Sequence, residues 1–343
     1  MSCTQLRHRW LHALLLVLCV LYGVGQAHAC TTTSSATIDL GSMTSFEATT
    51  AHPLAGSGSS GLSCPGILGL LNSQYVYLSV DYQSDGLINS VTGDKIPFQV
   101  VTLPGATPIP PGTTSGNLAG ASLLSLGGLN GEVQLYVSLG EAGNIAAGTY
   151  TGTLQLRWHY AVCTSIGAIG ECLLLNWTRS PGITENCISL LGAILACNLN
   201  LGTLPGSGSP VDLTITLEIT RDCRFDADDI DFGAAPFVDS FEPVTGTLHV
   251  RCTKGSTYTL GLSNGNYFAN GRRRMASGAN RLEYDIFHSG GLRWNDTTNR
   301  AVQPVPAQGD AFESFIYEAR IYEDQTTPPV GLYQDVVIID VQF

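Results

Sequence analysis

The residues best equipped for chemistry are cysteines and one run of acids. Eight cysteines lie beyond residue 29: Cys30, Cys64, Cys163, Cys172, Cys187, Cys197, Cys223 and Cys252. No two are spaced as Cys-x-x-Cys, so neither a dithiol redox motif nor a zinc ribbon is supported. The acidic run Asp226-Ala227-Asp228-Asp229-Ile230-Asp231 invites a calcium reading, because alternate carboxylates can converge on a hard cation. It lacks the turn glycine and distal glutamate of an EF-hand loop, and reads as an acidic strand edge. The stretch Gly271 to Met275, with three consecutive arginines, predicts a solvated turn between strands. His159 and His249 fall within alternating stretches and are expected on solvent faces. No phosphate loop or His-Glu-x-x-His occurs. The sequence therefore nominates no catalytic residue, no metal site and no cofactor.

The cysteines take their meaning from the front of the chain. Arg7 and Arg9 precede the apolar run Leu11 to Val20, which is followed by Gln26-Ala27-His28-Ala29. This is the pattern of a signal peptide, residues 1–29, cleaved after Ala29. The apolar run is shorter than the roughly 20 residues that span a bilayer. An even set of cysteines in an exported chain reads as disulfides. The net charge of −12, with Lys95 and Lys254 the only lysines, argues against nucleic acid or anionic lipid as partners. Abundant glycine and a low charged fraction of 13% suit an extracellular all-β protein rich in turns.

The elements that must position these residues occur twice. Cys30, Ile38-Asp39-Leu40-Gly41, Cys64 and Tyr75 recur in order as Cys223, Ile230-Asp231-Phe232-Gly233, Cys252 and Tyr258. Each copy has a late Gly-x-Tyr before an alternating stretch, starting at Gly148 and at Gly331. Leu154, Leu156, Trp158 and Tyr160 then align with Val337, Ile339, Val341 and Phe343. The repeat predicts two β-modules, residues 30–220 and 221–343, with Cys30–Cys64 and Cys223–Cys252 as equivalent disulfides. Module one continues past Tyr160 into a cysteine-rich excursion and then writes one more strand, Val211 to Thr220, with Leu213, Ile215, Leu217 and Ile219 alternating. Module two has nothing in that place. It is expected to be one strand short, exposing an apolar groove that β-augmentation by a partner could fill.

Module two resembles the spore coat protein U-like domain of archaic, Csu-type chaperone–usher pili. The residues that carry the resemblance are Cys223, the segment 230–233, Gly246 to Cys252, Tyr258 to Gly265, Arg273 to Phe287, Trp294 and Pro328 to Phe343. Module one matches more loosely. The resemblance implies immunoglobulin-like β-sandwiches, the second completed by a donor strand. The strand would come from a periplasmic chaperone and then, at an outer-membrane usher, from the adjacent pilus subunit. Phe225, Ile230, Val337, Ile339, Val341 and Phe343 are expected to border that groove. A chain maturing at Cys30 would have no donor segment of its own, which implies the pilus tip. The alternative is a secreted coat-type structural protein with no pilus.

A tip adhesin needs a binding face, and four glycine-punctuated apolar stretches of module one could supply it. The candidate contact residues are Ile67, Leu68 and Leu70; Leu123, Leu124 and Leu126; Ile166 and Ile169; and Leu190, Leu191 and Ile194. The resemblance points to an abiotic hydrophobic surface; a host target is the other expectation. Disulfides among Cys163, Cys172, Cys187 and Cys197 would stiffen exposed hairpins. Either Cys163–Cys172 with Cys187–Cys197, or Cys163–Cys197 with Cys172–Cys187, fits the spacing.

Overall fold

The computed structural model describes residues 30–343 apart from 66–74, 103–106, 119–123, 126–127, 164–166, 169–170, 173–176, 191–192 and 201–206. The expected signal peptide lies outside the described residues. The fold is all-β, its only helical turns being two short 3-10 segments, Glu47–Thr49 and Val238–Ser240, among the described residues. Buried side chains form two clusters, one drawn from Cys30 to Ile219 and the other from Val238 to Ile321.

The first cluster lies between two sheets. One contains β1 (Thr31–Ser34), β3 (His52–Pro65), β7 (Phe98–Val101), β8 (Leu124–Ser125) and β9 (Gly128–Leu139), in the order β1-β3-β9-β7 with β8 also on β9. The other contains β2 (Thr37–Thr44), β4 (Tyr75–Gln83), β5 (Leu87–Ile88), β6 (Lys95–Ile96), β10 (Gly148–Cys163), β13 (Trp177–Arg179) and β16 (Ser209–Thr220). Its order is β2-β16-β10-β5-β6, with β4 and β13 also on β10. Strand β16 is made by its alternation: Val211, Leu213, Ile215, Leu217 and Ile219 are buried, while Asp212, Glu218 and Thr220 are exposed. It pairs antiparallel with β10 from Gly148↔Ile219 to Trp158↔Ser209, and parallel with β2, where Ile215 lies opposite Ile38. Two hairpins stand as separate two-stranded sheets: β11 (Gly167–Ala168) with β12 (Glu171–Cys172), and β14 (Thr184–Leu190) with β15 (Ala193–Asn200).

The second cluster lies between a sheet ordered β17-β18-β23-β21-β20 and a smaller one ordered β22-β19-β24. The strands are β17 (Cys223–Asp226), β18 (Val244–Cys252), β19 (Thr259–Leu262), β20 (Arg273–Ser277), β21 (Asn280–His288), β22 (Ala301–Val302), β23 (Glu313–Ile321) and β24 (Ile339–Gln342). Disulfides join Cys30 to Cys64 and Cys223 to Cys252. Each closes a loop of comparable size and removes on the order of 3–4 kcal/mol of unfolded-chain entropy on the chain-entropy model.

The repeat extends to individual hydrogen bonds. Asp39 accepts from the Gly41 amide at 2.9 Å, and Asp231 accepts from the Gly233 amide at 2.7 Å. Both glycines sit at positive φ, 75° and 71°, where a side chain would be strained. The Tyr150 hydroxyl donates to the Ala146 carbonyl, and the Tyr333 hydroxyl to the Pro329 carbonyl, each at 2.7 Å and each four residues upstream. A tyrosine bonding back at the foot of a strand is the corner device of immunoglobulin-like sandwiches.

The modules also touch one another. The buried hydroxyls of Ser45 and Thr253 lie 2.7 Å apart, Lys254 Nζ donates to Asp94 at 2.7 Å, and Asn144 Nδ2 donates to the Gln308 carbonyl. Phe46 packs beneath the guanidinium groups of Arg224 and Arg251, 4.9 Å from each.

One expectation fails in module one. His159 is fully buried, not solvent-facing. The chain after β13 folds back over that end of β10: Ser180 exchanges hydrogen bonds with Tyr160, and the Gly208 amide donates to the Pro181 carbonyl. His159 Nε2 lies 2.9 Å from Ser79 Oγ, and Nδ1 lies 3.4 Å from Ser207 Oγ. Burial lowers its pKa; the Asp81 carboxylate pulls the other way and Arg157 adds to the depression. The unfolded chain then binds a proton near pH 6.5 that the folded chain refuses. Stability is full above that pH and declines as pH falls below it, until the folded-state value is passed. The thermal midpoint is expected to fall as pH drops below about 6.5, and His159→Gln is expected to flatten that slope. An unchanged profile in the variant would assign the slope to other groups.

Candidate functional site

In module one, β16 is hydrogen-bonded on both sides. The equivalent place in module two is an open cleft of about 620 Å³. One wall is the segment after β17, including Asp228, Ile230 and Phe232, the counterpart of β2. The opposite wall is the segment leading into β24, including Tyr333, Val337 and Ile339, the counterpart of β10. Leu248, Leu262, Ile286 and Trp294 supply an apolar floor.

Both walls carry the mark of a missing neighbour. The counterpart of β2, residues 227–235, forms no strand. The alternation predicts a strand over 337–343, yet only Ile339–Gln342 is assigned as one, and it pairs on one side only, with β19. A ladder needs a partner, and β16 supplies one to both neighbours in module one. Burial follows the same rule. Ile38, Leu154, Leu156 and Trp158 are essentially fully buried, whereas Ile230, Val337, Ile339 and Val341 are only half-buried.

The six residues expected at this groove separate into two groups. Ile230, Val337 and Ile339 line it. Val341 lies opposite Leu260 in the β24–β19 ladder and packs on the core. Phe343 is 47% exposed, with the Arg221 guanidinium over its ring. Phe225 lies opposite Val250 in the β17–β18 pair and is exposed, away from the cleft, because β17 ends before the wall begins.

The cleft stays open because other contacts hold the two sheets together. Arg273 and Asp285 are fully buried and joined by a 2.8 Å ion pair. Arg273 also donates to the carbonyls of Ser263, Leu262 and Trp294, linking β20 to the end of β19 and to the loop after β21. Arg293 and the Tyr322 hydroxyl complete the shell around Asp285. Arg273 therefore does not sit in the solvated turn expected for Gly271 to Met275. A lone acid between Tyr284 and Ile286 was the available signal, since a buried carboxylate requires a cation. The acidic run 226–231 lines the cleft wall from Ala227 to Asp231. On the opposite wall, Asp335 accepts from the Tyr284 hydroxyl and the Asn266 amide, each at 2.9 Å. Burial and the Asp335 carboxylate push the Tyr284 pKa well above its ordinary value.

The family model for the Spore Coat Protein U domain matches from β16 to β24. The matched residues are 210–340. Both walls and the floor of the cleft lie within the matched residues. The chain is similar to one chain of the crystal structure of the CsuC–CsuE chaperone–tip adhesion subunit pre-assembly complex, from the archaic chaperone–usher Csu pili of Acinetobacter baumannii. The match has 25% sequence identity and a TM-score of 0.58, and covers 92% of this chain and 100% of that one. The CupB6 tip adhesin from Pseudomonas aeruginosa is matched at 12% identity and a TM-score of 0.30, covering 91% of this chain and 93% of that one. No curated protein sequence matches.

The other candidate residues belong to module one. Leu124 lies in β8, Leu190 in β14 and Ile194 in β15. Ile67, Leu68, Leu70, Leu123, Leu126, Ile166, Ile169 and Leu191 lie outside the described residues. Backbone pairing brackets three of the stretches as hairpins: Ser125↔Gly128, Ala168↔Glu171 and Leu190↔Ala193. In sequence, the two residues between the paired positions are Leu126-Gly127, Ile169-Gly170 and Leu191-Gly192. The β8–β9 hairpin adjoins the end of β3 that carries Cys64, and Cys163 ends β10. The opposite end of β10 follows Ala146, which bridges to Lys254 of module two. With about 3.3 Å per residue, β10 separates the two ends by roughly 50 Å.

The β14–β15 register sets Cys187 directly opposite Cys197, as Cys223 lies opposite Cys252. Directly opposed positions on antiparallel strands suit a disulfide. Peptide mapping of the oxidised protein is expected to recover Cys187 linked to Cys197, leaving Cys163 with Cys172; a Cys172–Cys187 peptide would contradict the register. Truncating the buried cation by Arg273→Ala is expected to cost about 3–5 kcal/mol, read as a lower thermal midpoint of the module-two transition. A loss under 1 kcal/mol would show that Arg293 alone satisfies Asp285.

Proposed function

We propose that this chain is the tip adhesin subunit of an archaic chaperone–usher pilus and carries no enzymatic activity. It passes through the periplasm to the cell surface. There its Spore Coat Protein U domain takes a donor strand, first from a periplasmic chaperone and then, at the outer-membrane usher, from the adjacent pilus subunit. Module one makes the attachment that leads to biofilm formation. The observation supporting assembly by strand donation is the cleft itself, which occupies in module two the place that β16 fills in module one. The similarity to a chain of a chaperone–tip adhesion subunit complex agrees with it.

For attachment, the reading rests on the three hairpins at the end of module one remote from the cleft. Each closes over an aliphatic residue followed by glycine. Apolar residues bind by burying area rather than by reading a chemical group, and an abiotic hydrophobic surface suits that mode.

The two halves of the proposal separate by mutation. Ile339→Asp places a charge in the cleft wall and is expected to abolish co-purification with the chaperone and surface display. Leu126→Ser, Ile169→Ser and Leu191→Ser together are expected to leave assembly and display intact while attachment to polystyrene falls severalfold. Attachment by the parent protein is expected to persist in high salt and fail in mild detergent. Inhibition by one specific sugar would instead assign a glycan target, and normal display of the Ile339→Asp variant would remove the cleft from assembly.

A further inference from the structure

The two modules differ in charge along the slot. The residues lining the cleft of module two include Asp228, Asp229, Asp231 and Asp335, and no lysine or arginine. The repeat aligns these four with Ala36, Thr37, Asp39 and Gly152 of module one. Three of the four carboxylates therefore stand where the sibling slot is neutral. That sibling slot is filled in cis by β16, a strand carrying Asp212 and Glu218 of its own. Extra carboxylates on the wall would repel such a strand, and the module that owns one has none.

The register of β16 says which positions of an incoming strand meet these acids. Thr214 lies opposite Thr37 and donates its amide to the Ala36 carbonyl. Thr216 lies opposite Asp39, its hydroxyl 3.5 Å from the carboxylate. Both alternate with the buried Leu213, Ile215 and Leu217, so they lie on the outer face of the strand. A strand taking the same course through module two would bring its equivalents of Thr214 and Thr216 to Asp228, Asp229 and Asp231. Its equivalent of Ile215, which lies opposite Gly152, would face Asp335.

We propose that the cleft selects its donor strand by charge. Resting on the strand-donation reading, the occupant is a donor segment of the adjacent pilus subunit that runs antiparallel to residues 333–341. It carries alternating apolar residues inward and lysine or arginine at the two outward positions beside Asp228, Asp229 and Asp231. The apolar floor supplies most of the affinity. The acids reject strands of the wrong charge, including the acidic strand β16 of this chain, and so bar a second copy from completing the module.

Synthetic peptides test this against the purified full-length protein. They copy residues 209–220 with Asp212→Asn and Glu218→Gln as a neutral background. One peptide adds Thr214→Lys and Thr216→Lys, and a second adds Thr214→Glu and Thr216→Glu. At low salt the lysine peptide is expected to bind about tenfold or more tighter than the glutamate peptide. The gap is expected to shrink at about 0.5 M NaCl and in the Asp228→Asn, Asp229→Asn double variant. Equal affinity of the two peptides would overturn charge selection while leaving strand donation intact. Binding of neither peptide would overturn both.

Discussion

Backbone hydrogen bonding along one strand position governs this molecule. Strand β16 satisfies the facing edges of β10 and β2 and drives five aliphatic side chains into the core of module one. Burying five such side chains is worth on the order of 10 kcal/mol before the entropy of ordering the strand is subtracted. Remove that strand and three things follow together: the neighbours lose their ladders, the side chains facing the slot become half-exposed, and a cleft opens over the core. Module two shows all three at positions the repeat makes equivalent. Module two is held instead by the Cys223–Cys252 disulfide and by the buried Arg273–Asp285 pair, which tie sheets and loops around the cleft without filling it.

The Cys163 end of β10 and the junction with module two lie at opposite ends of module one. The near end, at Ala146, meets module two. The Ser45–Thr253 contact, the Lys254–Asp94 pair and Phe46 beneath two arginines make that meeting a packed junction.

Much of this was legible because a repeat compares a protein with itself. The alternation of Leu213, Ile215, Leu217 and Ile219, and the Gly-x-Tyr that precedes both late strands, located the slot and its two walls from sequence. Ile230, Val337 and Ile339, expected there, line the cleft. Phe225 does not, because nearness in sequence to Ile230 does not place two residues on the same surface once the strand ends between them. His159 and Arg273 were misread for another reason. Periodicity says which way a residue points from its own strand, but not what a distant segment lays over it. For His159 that segment is the return of the chain through Ser180 and Gly208; for Arg273 it is the carboxylate on the adjacent strand and three carbonyls.

The most direct measurement supplies the strand in cis. A flexible linker and a copy of residues 209–220, with its two acids neutralised, would be appended after Phe343. If module two lacks one strand, the extended protein should gain about 10 °C or more in the thermal midpoint of the module-two transition. Residues 227–233 and 333–342 should also gain amide protection, and the protein should no longer bind the chaperone. An unchanged midpoint with unchanged exchange in those two segments would mean that the cleft takes no strand, and the central claim would fail.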